Sequence, residues 1–278
     1  ACRRQIKVIL ADIQADALNQ TIENLRAQGA QVSGVTVDVA DAAAMQHCAD
    51  EIHRTHGPVH WLFNNAGVTS SGPLWESSAK DMDWLMGVNL NGVMNGVRSF
   101  VPMMLDTAKR DPEFRGAIIN TASMAGLLTA PGMGIYCVSK HAVVALSECL
   151  HFDLQLNTTQ INAAVLCPSY IPTAIGDSER NRPAHLLNTE PPTKAQMASR
   201  AAAQQAVSQG TITADEVAEI TFQAVEAGRF YIFPSPETLE AVKPRFEQIV
   251  DQTTPEIPYH LFPALKNRRD RILQSTAS

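Results

Sequence analysis

Short apolar runs alternate along the chain with longer segments in which apolar and polar residues mix. Five runs have the length and the apolar or alternating character of strands: residues 7–12, 35–39, 59–63, 117–120 and 161–166. In the segments between them, apolar residues recur every three to four positions, which is the spacing of one helix face. Alternating strands and helices predict an α/β fold with a doubly wound parallel sheet and helices on both faces.

Residues that commonly begin helices stand at the edges of the amphipathic segments. Asp41 precedes one segment and is a good N-cap. Ser78 and Asp81 have the spacing of a capping box, which predicts a long helix over residues 78–105. A second long helix is predicted over residues 136–156. Ligands bind such sheets at the carboxyl ends of the strands, so we expect the functional residues there.

The pattern loosens in the last third of the chain. Residues 172–210 carry four prolines among polar residues, which predicts a flap with one Ala-rich helix at residues 197–207. From about residue 252 we expect a C-terminal tail. The segments after the flap are too short to build a second core, so residues 1–278 are expected to form a single domain.

Composition narrows the functional classes. The chain has 22 Lys and Arg against 28 Asp and Glu, a net charge of −6, and no basic run, which argues against nucleic acid or a membrane surface as partner. No apolar stretch is long enough to span a bilayer. Five scattered cysteines without close pairing predict neither a disulfide framework nor a zinc site, and favour the cytoplasm. We expect no metal, although four histidines lie between residues 47 and 60.

The sharpest chemical signal is a tyrosine four residues before a lysine in a predicted helix. Tyr136 and Lys140 share a helix face at this spacing. A tyrosine has a pKa near 10, so an active base requires its pKa to fall by about three units, which corresponds to about 4 kcal/mol. An exposed lysine supplies about 1 kcal/mol at best, so Lys140 can act in this way only in a desolvated site. The alternative interpretation of the pair is an ordinary helix face.

Ser123 follows the predicted strand at residues 117–120 and precedes Tyr136 by thirteen positions. A hydroxyl at the carboxyl end of a strand, next to a base, can hold a carbonyl or alcohol oxygen. It can equally cap the turn that follows. The surrounding residues lack the glycines of a nucleophile elbow, which argues against a hydrolase.

The order of these motifs resembles the short-chain dehydrogenase/reductase family. Asn65, Ala66 and Gly67 follow Asn64 as in the N-N-A-G of that family. Asn89, Ser123, Tyr136 and Lys140 match its catalytic tetrad. The resemblance implies a Rossmann-like sheet and an oxidoreductase that interconverts a secondary alcohol and a ketone. In it Ser123 orients the substrate oxygen, Tyr136 is the acid/base, Lys140 lowers the pKa of Tyr136, and Asn89 holds a water of a proton relay.

The same resemblance implies a nicotinamide cofactor. The positions that match cofactor-binding positions of the family are Asp12, Asp38, Val39, Asn65, Ala66, Gly67, Tyr136, Lys140, Pro168, Ile171 and Thr173. Asp12 ends a strand where the family places an acid on the adenosine ribose. A carboxylate there accepts hydroxyl hydrogen bonds and repels a 2′-phosphate, which favours NAD over NADP. The apolar residues Met124, Leu127 and Leu128 favour a fairly hydrophobic small alcohol or ketone.

One feature of the family is missing from this sequence. The glycine-rich turn T-G-x-x-x-G-x-G, which holds the pyrophosphate, occurs nowhere in it, and the chain enters at the second strand of the family order. We therefore expect an N-terminally truncated member that lacks its first strand, is unstable and does not bind NAD as it stands. The alternatives are a non-catalytic Rossmann-like binding or regulatory protein, or an inactive fragment of the enzyme. The resemblance also implies a homodimer or homotetramer, formed by the helices at about 82–105 and 136–156.

Overall fold

The computed structural model describes residues 1–257, 265–267 and 269–270. The strands in this part of the chain are β1 (Val8–Asp12), β2 (Val32–Thr36), β3 (Trp61–Asn64), β4 (Gly116–Thr121), β5 (Ile161–Leu166) and β6 (Tyr231–Ile232). The helices bounded within residues 1–257 are α1 (Ala15–Ala27), α2 (Ala42–His56), α3 (Ala79–Met86), α4 (Gly92–Arg110), α5 (Gly134–Gln155), α6 (Lys194–Ser208), α7 (Ala214–Glu226) and α8 (Leu239–Val250). The predicted alternation of strands and helices is confirmed.

All strand pairs of the described chain are parallel, and they form two sheets. One sheet has the order β1-β2 and the other has the order β3-β4-β5-β6. β1 therefore makes no ladder with β3. A hydrophobic cluster from α2 and α4 joins the sheets, because Ile9 of β1 and Leu62 of β3 both pack against it. The result is one α/β unit of Rossmann-like type.

The second strand lies three residues earlier than its alternating valines predict. β2 covers Val32–Thr36, and Val8 pairs with Val32 in the register with β1. Val35, Val37 and Val39 all pack into or against the α2–α4 cluster, although only Val35 lies in the strand. The alternating valines therefore indicate which side of the segment packs against the cluster, and this packing continues beyond the last residue of the strand.

The helix predicted over residues 78–105 is real but interrupted. Ser78 and Asp81 form the predicted capping box at the start of α3. After α3 the chain makes a π-helical segment, Gly87–Asn91, and then continues as α4. π-Helical turns are rare and often accompany functional residues. The apolar periodicity runs across the interruption, so the sequence pattern does not reveal it.

The predicted flap is ordered helical structure. It contains two 3-10 segments, Ala174–Asn181 and Ala184–Leu186, followed by α6 (Lys194–Ser208), which includes the predicted helix. Most of the tail predicted from about residue 252 lies outside the described residues. In the described part no helix is long and apolar enough to cross a bilayer. The same residues contain no group of three or more His, Cys, Asp or Glu side chains arranged to hold a metal ion.

Candidate active site

The turn after β4 presents Ser123 beside α5. The Ser123 hydroxyl accepts a hydrogen bond from the Ala125 amide at 3.1 Å and donates one to the Pro168 carbonyl at 3.4 Å. The Pro168 carbonyl also accepts from the Met124 amide at 2.9 Å. Gly126 lets this turn approach α5, because a Cβ at that position would lie 2.7 Å from the Lys140 carbonyl oxygen. The turn-capping interpretation of Ser123 is therefore correct, and it is compatible with a role in binding.

Tyr136 and Lys140 both lie inside the protein, with 8% and 3% of their surface exposed. Lys140 Nζ donates to the Thr121 carbonyl at the end of β4, at 2.8 Å. The same atom lies 5.8 Å from the centre of the Tyr136 ring. The desolvated environment that a functional Tyr-Lys pair requires is therefore present.

Burial is the main influence on the pKa values of Tyr136 and Lys140. Burial raises the pKa of Tyr136 to about 12, and a polar interaction with Ser123 opposes this increase. Burial lowers the pKa of Lys140 to about 8. In the protein without cofactor, desolvation of the phenolate outweighs the other effects on the pKa of Tyr136. The lowering of this pKa by Lys140 beside a bound cofactor stays a prediction.

Asn89 lies in the π-helical segment and is completely buried. Its side-chain oxygen accepts from the Val68 amide at 2.8 Å, and its Nδ2 donates to the Val68 carbonyl at 2.9 Å. Nδ2 also donates to the Ser139 hydroxyl at 3.1 Å, and that hydroxyl donates to the Tyr136 carbonyl at 2.8 Å. Asn89 therefore ties the turn after β3 to the first turns of α5.

The sequence did not indicate a role for Ser139, although it directly precedes Lys140 in the chain. A second buried chain of polar groups also went unnoticed: Asn64 donates to Asn120 at 2.9 Å, and Asn120 donates to Ser147 at 3.0 Å. The available signal was the pair of asparagines at equivalent ends of two neighbouring strands. This chain fixes β3, β4 and α5 relative to one another below the candidate site.

The turn after β3 brings two of its predicted residues to the tetrad. Asn65 accepts a hydrogen bond from the Thr121 hydroxyl at 3.0 Å. Gly67 lies so close that a Cβ there would be 3.6 Å from both Asn89 Oδ1 and Lys140 Nζ. Ala66, between them, is exposed.

The predicted adenosine-side residues lie at the end of β1 and in the turn after β2. Asp12 ends β1, is exposed, and accepts a hydrogen bond from the Gln14 amide at 2.8 Å. Asp38 accepts from the Ala40 amide at 2.9 Å. The Val39 carbonyl accepts from Asn95 of α4 at 2.8 Å. These residues are positioned by turns and by α4.

The remaining predicted residues begin the flap. Pro168 contacts the Ser123 turn, whereas Thr173 is exposed and its hydroxyl accepts from the Ile175 amide at 3.4 Å. Ile171 is partly buried between them. Ser169, where the family has a glycine, requires no left-handed backbone, because Gln5 and Gln252 are the non-glycine residues with positive φ in the described chain.

The expected apolar pocket residues belong to the core. Met124, Leu127 and Leu128 pack in or against a cluster with Val143 and Val144 of α5. The apolar environment of Tyr136 is a different cluster, formed with Val68, Trp84, Leu85 and Ile135. Two cavities of about 310 and 240 Å³ lie elsewhere, between α2 and α4 and at the amino ends of β1 and β2, and no tetrad residue lines them.

Comparison with known families decides what this arrangement is. Residues 1–184 of the 278-residue chain match the model of the short chain dehydrogenase family. The chain belongs to the short-chain dehydrogenase family. It is therefore an oxidoreductase by family, with the Rossmann-like fold that the resemblance implied.

Relatives of this short-chain dehydrogenase cover nearly the whole chain. A short chain dehydrogenase/reductase from Burkholderia phymatum, solved in complex with NAD, is 46% identical, with a TM-score of 0.87, over 91% of this chain and 88% of that one. A CLA biosynthesis dehydrogenase/reductase from Lactiplantibacillus plantarum is 30% identical over 92% of this chain and 89% of its own. A C alpha-dehydrogenase from Sphingobium sp. strain SYK-6 is 30% identical over 90% of this chain and 79% of its own.

These matches do not support the expected N-terminal truncation of this short-chain dehydrogenase. The family match begins at residue 1, and the Burkholderia structure matches 91% of this chain.

Proposed function

We propose that this chain is an NAD-dependent oxidoreductase that interconverts a secondary alcohol and a ketone, with Tyr136 as the acid/base. The observation that carries the proposal is the buried group at the end of β4. Tyr136 interacts with Ser123 there, and the Lys140 ammonium lies 5.8 Å from the Tyr136 ring. A buried phenol beside a half-buried hydroxyl and a buried cation suits a site that holds one oxygen atom and exchanges its proton.

The residues around Lys140 fit a nicotinamide riboside. Lys140 Nζ has three donor hydrogens, and the Thr121 carbonyl is its one acceptor among the described residues. Two donors are thus left for the vicinal hydroxyls of a ribose. Gly67, without a side chain, leaves space next to this ammonium. We infer that Lys140 and Tyr136 hold the ribose and that Pro168, Ile171 and Thr173 border the nicotinamide.

Asp12 and its neighbours supply the chemistry for the adenosine half. An exposed carboxylate at the end of β1 accepts hydrogen bonds from ribose hydroxyls and repels a phosphate in their place, which favours NAD over NADP. The Burkholderia relative was solved with NAD. Asp38 and Val39 would border the adenine, and the turn of Asn65, Ala66 and Gly67 would lie along the cofactor.

In the proposed mechanism each residue of the tetrad's substrate side either orients the substrate oxygen, exchanges its proton or holds the surrounding turn. When bound, the cofactor supplies or accepts the hydride at its nicotinamide ring. Ser123 donates a hydrogen bond to the substrate oxygen and so orients the reacting carbon. Tyr136, whose pKa is about 12 in the protein alone, is neutral at pH 7 and donates its proton to the ketone oxygen during reduction. During oxidation the alcohol proton goes to the Tyr136 phenolate, so Tyr136 first has to pass its own proton to solvent, and Asn89 holds the turn beside this path.

The apolar cluster around Tyr136 supports the proposed substrate class. Val68, Trp84, Leu85 and Ile135 pack with its ring, and they offer no charged partner to a substrate. A fairly hydrophobic alcohol or ketone fits this environment, because apolar surface gains from leaving water. The alternative of a non-catalytic binding protein does not account for burying Lys140 next to Tyr136, since burial of an ammonium is costly.

We also propose that the enzyme self-associates through α4 and α5 and works in the cytoplasm. Met94, Val138 and Phe152 of these helices are exposed apolar residues. Gly92 and Gly96 serve packing within the chain, where Val39 and Asn64 approach them. The five cysteines are all free, as in a reducing compartment. Light scattering that shows a monomer would contradict the proposed association.

The test of the proposed function is turnover of a panel of secondary alcohols and ketones of increasing apolar size. We expect NAD-dependent oxidation of alcohols, or NADH-dependent reduction of ketones, with a lower KM as apolar size increases. Parallel assays with NADP should give weaker activity. Binding of NAD without turnover of any substrate in the panel would support the non-catalytic alternative.

A further inference from the structure

A buried ion pair joins the flap to α3. Arg182 Nη1 lies 2.7 Å from Asp81 Oδ1, and the two side chains are only 3% and 9% exposed. Arg182 follows the first 3-10 segment of the flap, whereas Asp81 stands in the first turn of α3. The pair therefore connects two segments that are far apart in the sequence.

Further hydrogen bonds fix both partners of this pair. Arg182 Nε donates to the Leu186 carbonyl at 2.8 Å, and its guanidinium lies over the Trp84 ring at 4.9 Å. Asn188 donates to Asp81 at 2.9 Å from the other end of the same flap loop. A planar guanidinium held in this way permits one orientation of the loop. Buried ion pairs contribute little net stability, but they can specify one geometry.

The ion pair positions the flap next to the candidate site. Trp84, under the guanidinium, packs in the same cluster as Tyr136, and Leu186 of the flap packs against that cluster. A second contact reinforces the first, since the Thr69 amide donates to Ser178 of the flap at 3.1 Å. Its neighbour Val68 is the residue that bonds Asn89. The flap is thus connected to the surroundings of both Tyr136 and Asn89.

We propose that Arg182 and Asp81 are positioning residues that hold the flap against the Tyr136 cluster and make Leu186 a wall of the substrate site. This inference rests on the proposed function for its kinetic consequences. Its structural part, a flap held by this ion pair together with its neighbouring hydrogen bonds, stands independently of any activity.

The structural part is tested first, without substrate or cofactor. Amide hydrogen exchange of the flap is compared in the wild type, Arg182→Met and Arg182→Lys. Arg180→Met is the matched control, because Arg180 is an exposed flap arginine that donates to Ala174 and Asp177 within the flap. We expect exchange of residues 178–188 to increase about tenfold in Arg182→Met, less in Arg182→Lys, and not in Arg180→Met. Equal exchange in Arg182→Met and the wild type would overturn the proposal.

The kinetic part uses the best substrate of the panel. Arg182→Met should raise the KM for the alcohol about tenfold, while the Kd for NAD changes by no more than about twofold. Arg182→Lys should restore part of the loss, because it keeps the charge but loses the planar fork. Asp81→Asn combined with Arg182→Met should lose less than the sum of the two single variants, since the ion pair is common to both, although Asp81 also bonds Ser78 and Asn188. Additive losses, or a fall in kcat with unchanged KM, would contradict a positioning role.

The two hypotheses fail in different ways. Should the wild type turn over no alcohol or ketone, the proposed function fails, while exchange of the flap still decides whether Arg182 holds it. Should the wild type be active and Arg182→Met match Arg180→Met in both measurements, the positioning role fails and the enzyme assignment remains. Melting curves of all variants identify any that fail to fold, and in that case Arg182→Lys carries the comparison.

Discussion

The strands of the two sheets differ sharply in burial. β4 and β5 are paired on both sides, and nearly all of their residues are buried. β1 and β3 each have one edge without a strand partner in the described chain, and none of their residues is fully buried. Ser123 and Pro168 follow β4 and β5, and Lys140 contacts the end of β4, whereas Asp12 ends β1 and Asp38 follows β2. The proposed catalytic side chains therefore lie at the ends of well-buried strands, and the proposed adenosine-binding side chains lie at the end of the smaller sheet.

From this difference we expect the sheet of β3 to β6 to contribute more to the free energy of unfolding than the pair β1–β2. Parallel sheets are stable when both faces and both edges are covered. The sheet of β3 to β6 meets this condition at β4 and β5, whose side chains fill two separate clusters. The pair β1–β2 depends on α1 and on the cluster shared with α2 and α4. Substitutions matched between the two regions test this account.

The largest effect is expected from truncating a core residue of β4. Ile118 is fully buried, so Ile118→Ala should lower the free energy of unfolding by about 2–5 kcal/mol. Ile9→Ala in β1 is the matched control, and because Ile9 is partly exposed we expect a loss of about 1 kcal/mol. Denaturant unfolding of both variants makes the comparison. Equal losses would show that the two sheets contribute alike.

The second effect concerns buried polar ties. Asn89→Ala leaves both the amide and the carbonyl of Val68 without their partner, at about 1–3 kcal/mol for each buried group. Asn95→Ala removes the single hydrogen bond to Val39 and should cost about half as much. Thermal melting of the two variants measures the ratio. An Asn95→Ala loss larger than that of Asn89→Ala would contradict the expectation that the contact with Val68 stabilises the protein more than the contact with Val39.

The third effect is pH-dependent and concerns Lys140. Its pKa falls from 10.5 to about 8 in the folded protein because of burial, so between these values the unfolded chain binds more protons. The stability of the wild type should therefore rise as pH increases from about 8 to 10.5. Lys140→Met lacks this dependence and should be more stable than the wild type at pH 7, with a gap that narrows toward pH 10.5. Unfolding midpoints at several pH values test this, and a constant gap would contradict it.

The smallest effect is expected from Asp12 on the exposed strand end. Asp12→Asn removes the negative charge but keeps an acceptor for the Gln14 amide. We expect the preference for NAD over NADP to fall about tenfold, with little change in stability. The measurement is the ratio of kcat/KM for the two cofactors. Asp16→Asn, in the first turn of α1, is the control. An unchanged ratio would remove Asp12 from the cofactor site.

Local patterns in the sequence were sufficient to predict most elements of the fold. Asp41 caps α2 through the Ala43 and Ala44 amides as expected, and the Ser78 capping box is present. The strands at residues 117–120 and 161–166 differ from β4 and β5 by no more than a residue at each end. These features depend on neighbouring residues, so a single sequence contains the information.

Features that depend on distant packing could not be predicted. Asn89 lies in a π-helical turn, and its side chain bonds Val68, which lies on another segment. The direction of the Tyr136 pKa shift depends on how completely the fold removes water from the phenol. The Arg182–Asp81 pair was invisible for the same reason. In the candidate site, the motif residues indicated which side chains lie near one another, but not the directions in which burial shifts their pKa values.

The most direct test of the central claim is the rate of alcohol oxidation by Tyr136→Phe, compared with Tyr231→Phe. Tyr231 is the matched control because its hydroxyl bonds Glu148 at the surface of β6 and α5. The account predicts that Tyr136→Phe loses about 10²–10⁴ in kcat with its melting temperature and NAD binding maintained, whereas Tyr231→Phe stays within about twofold of the wild type. A Tyr136→Phe enzyme that retains more than about a hundredth of the wild-type rate would contradict its role as the acid/base.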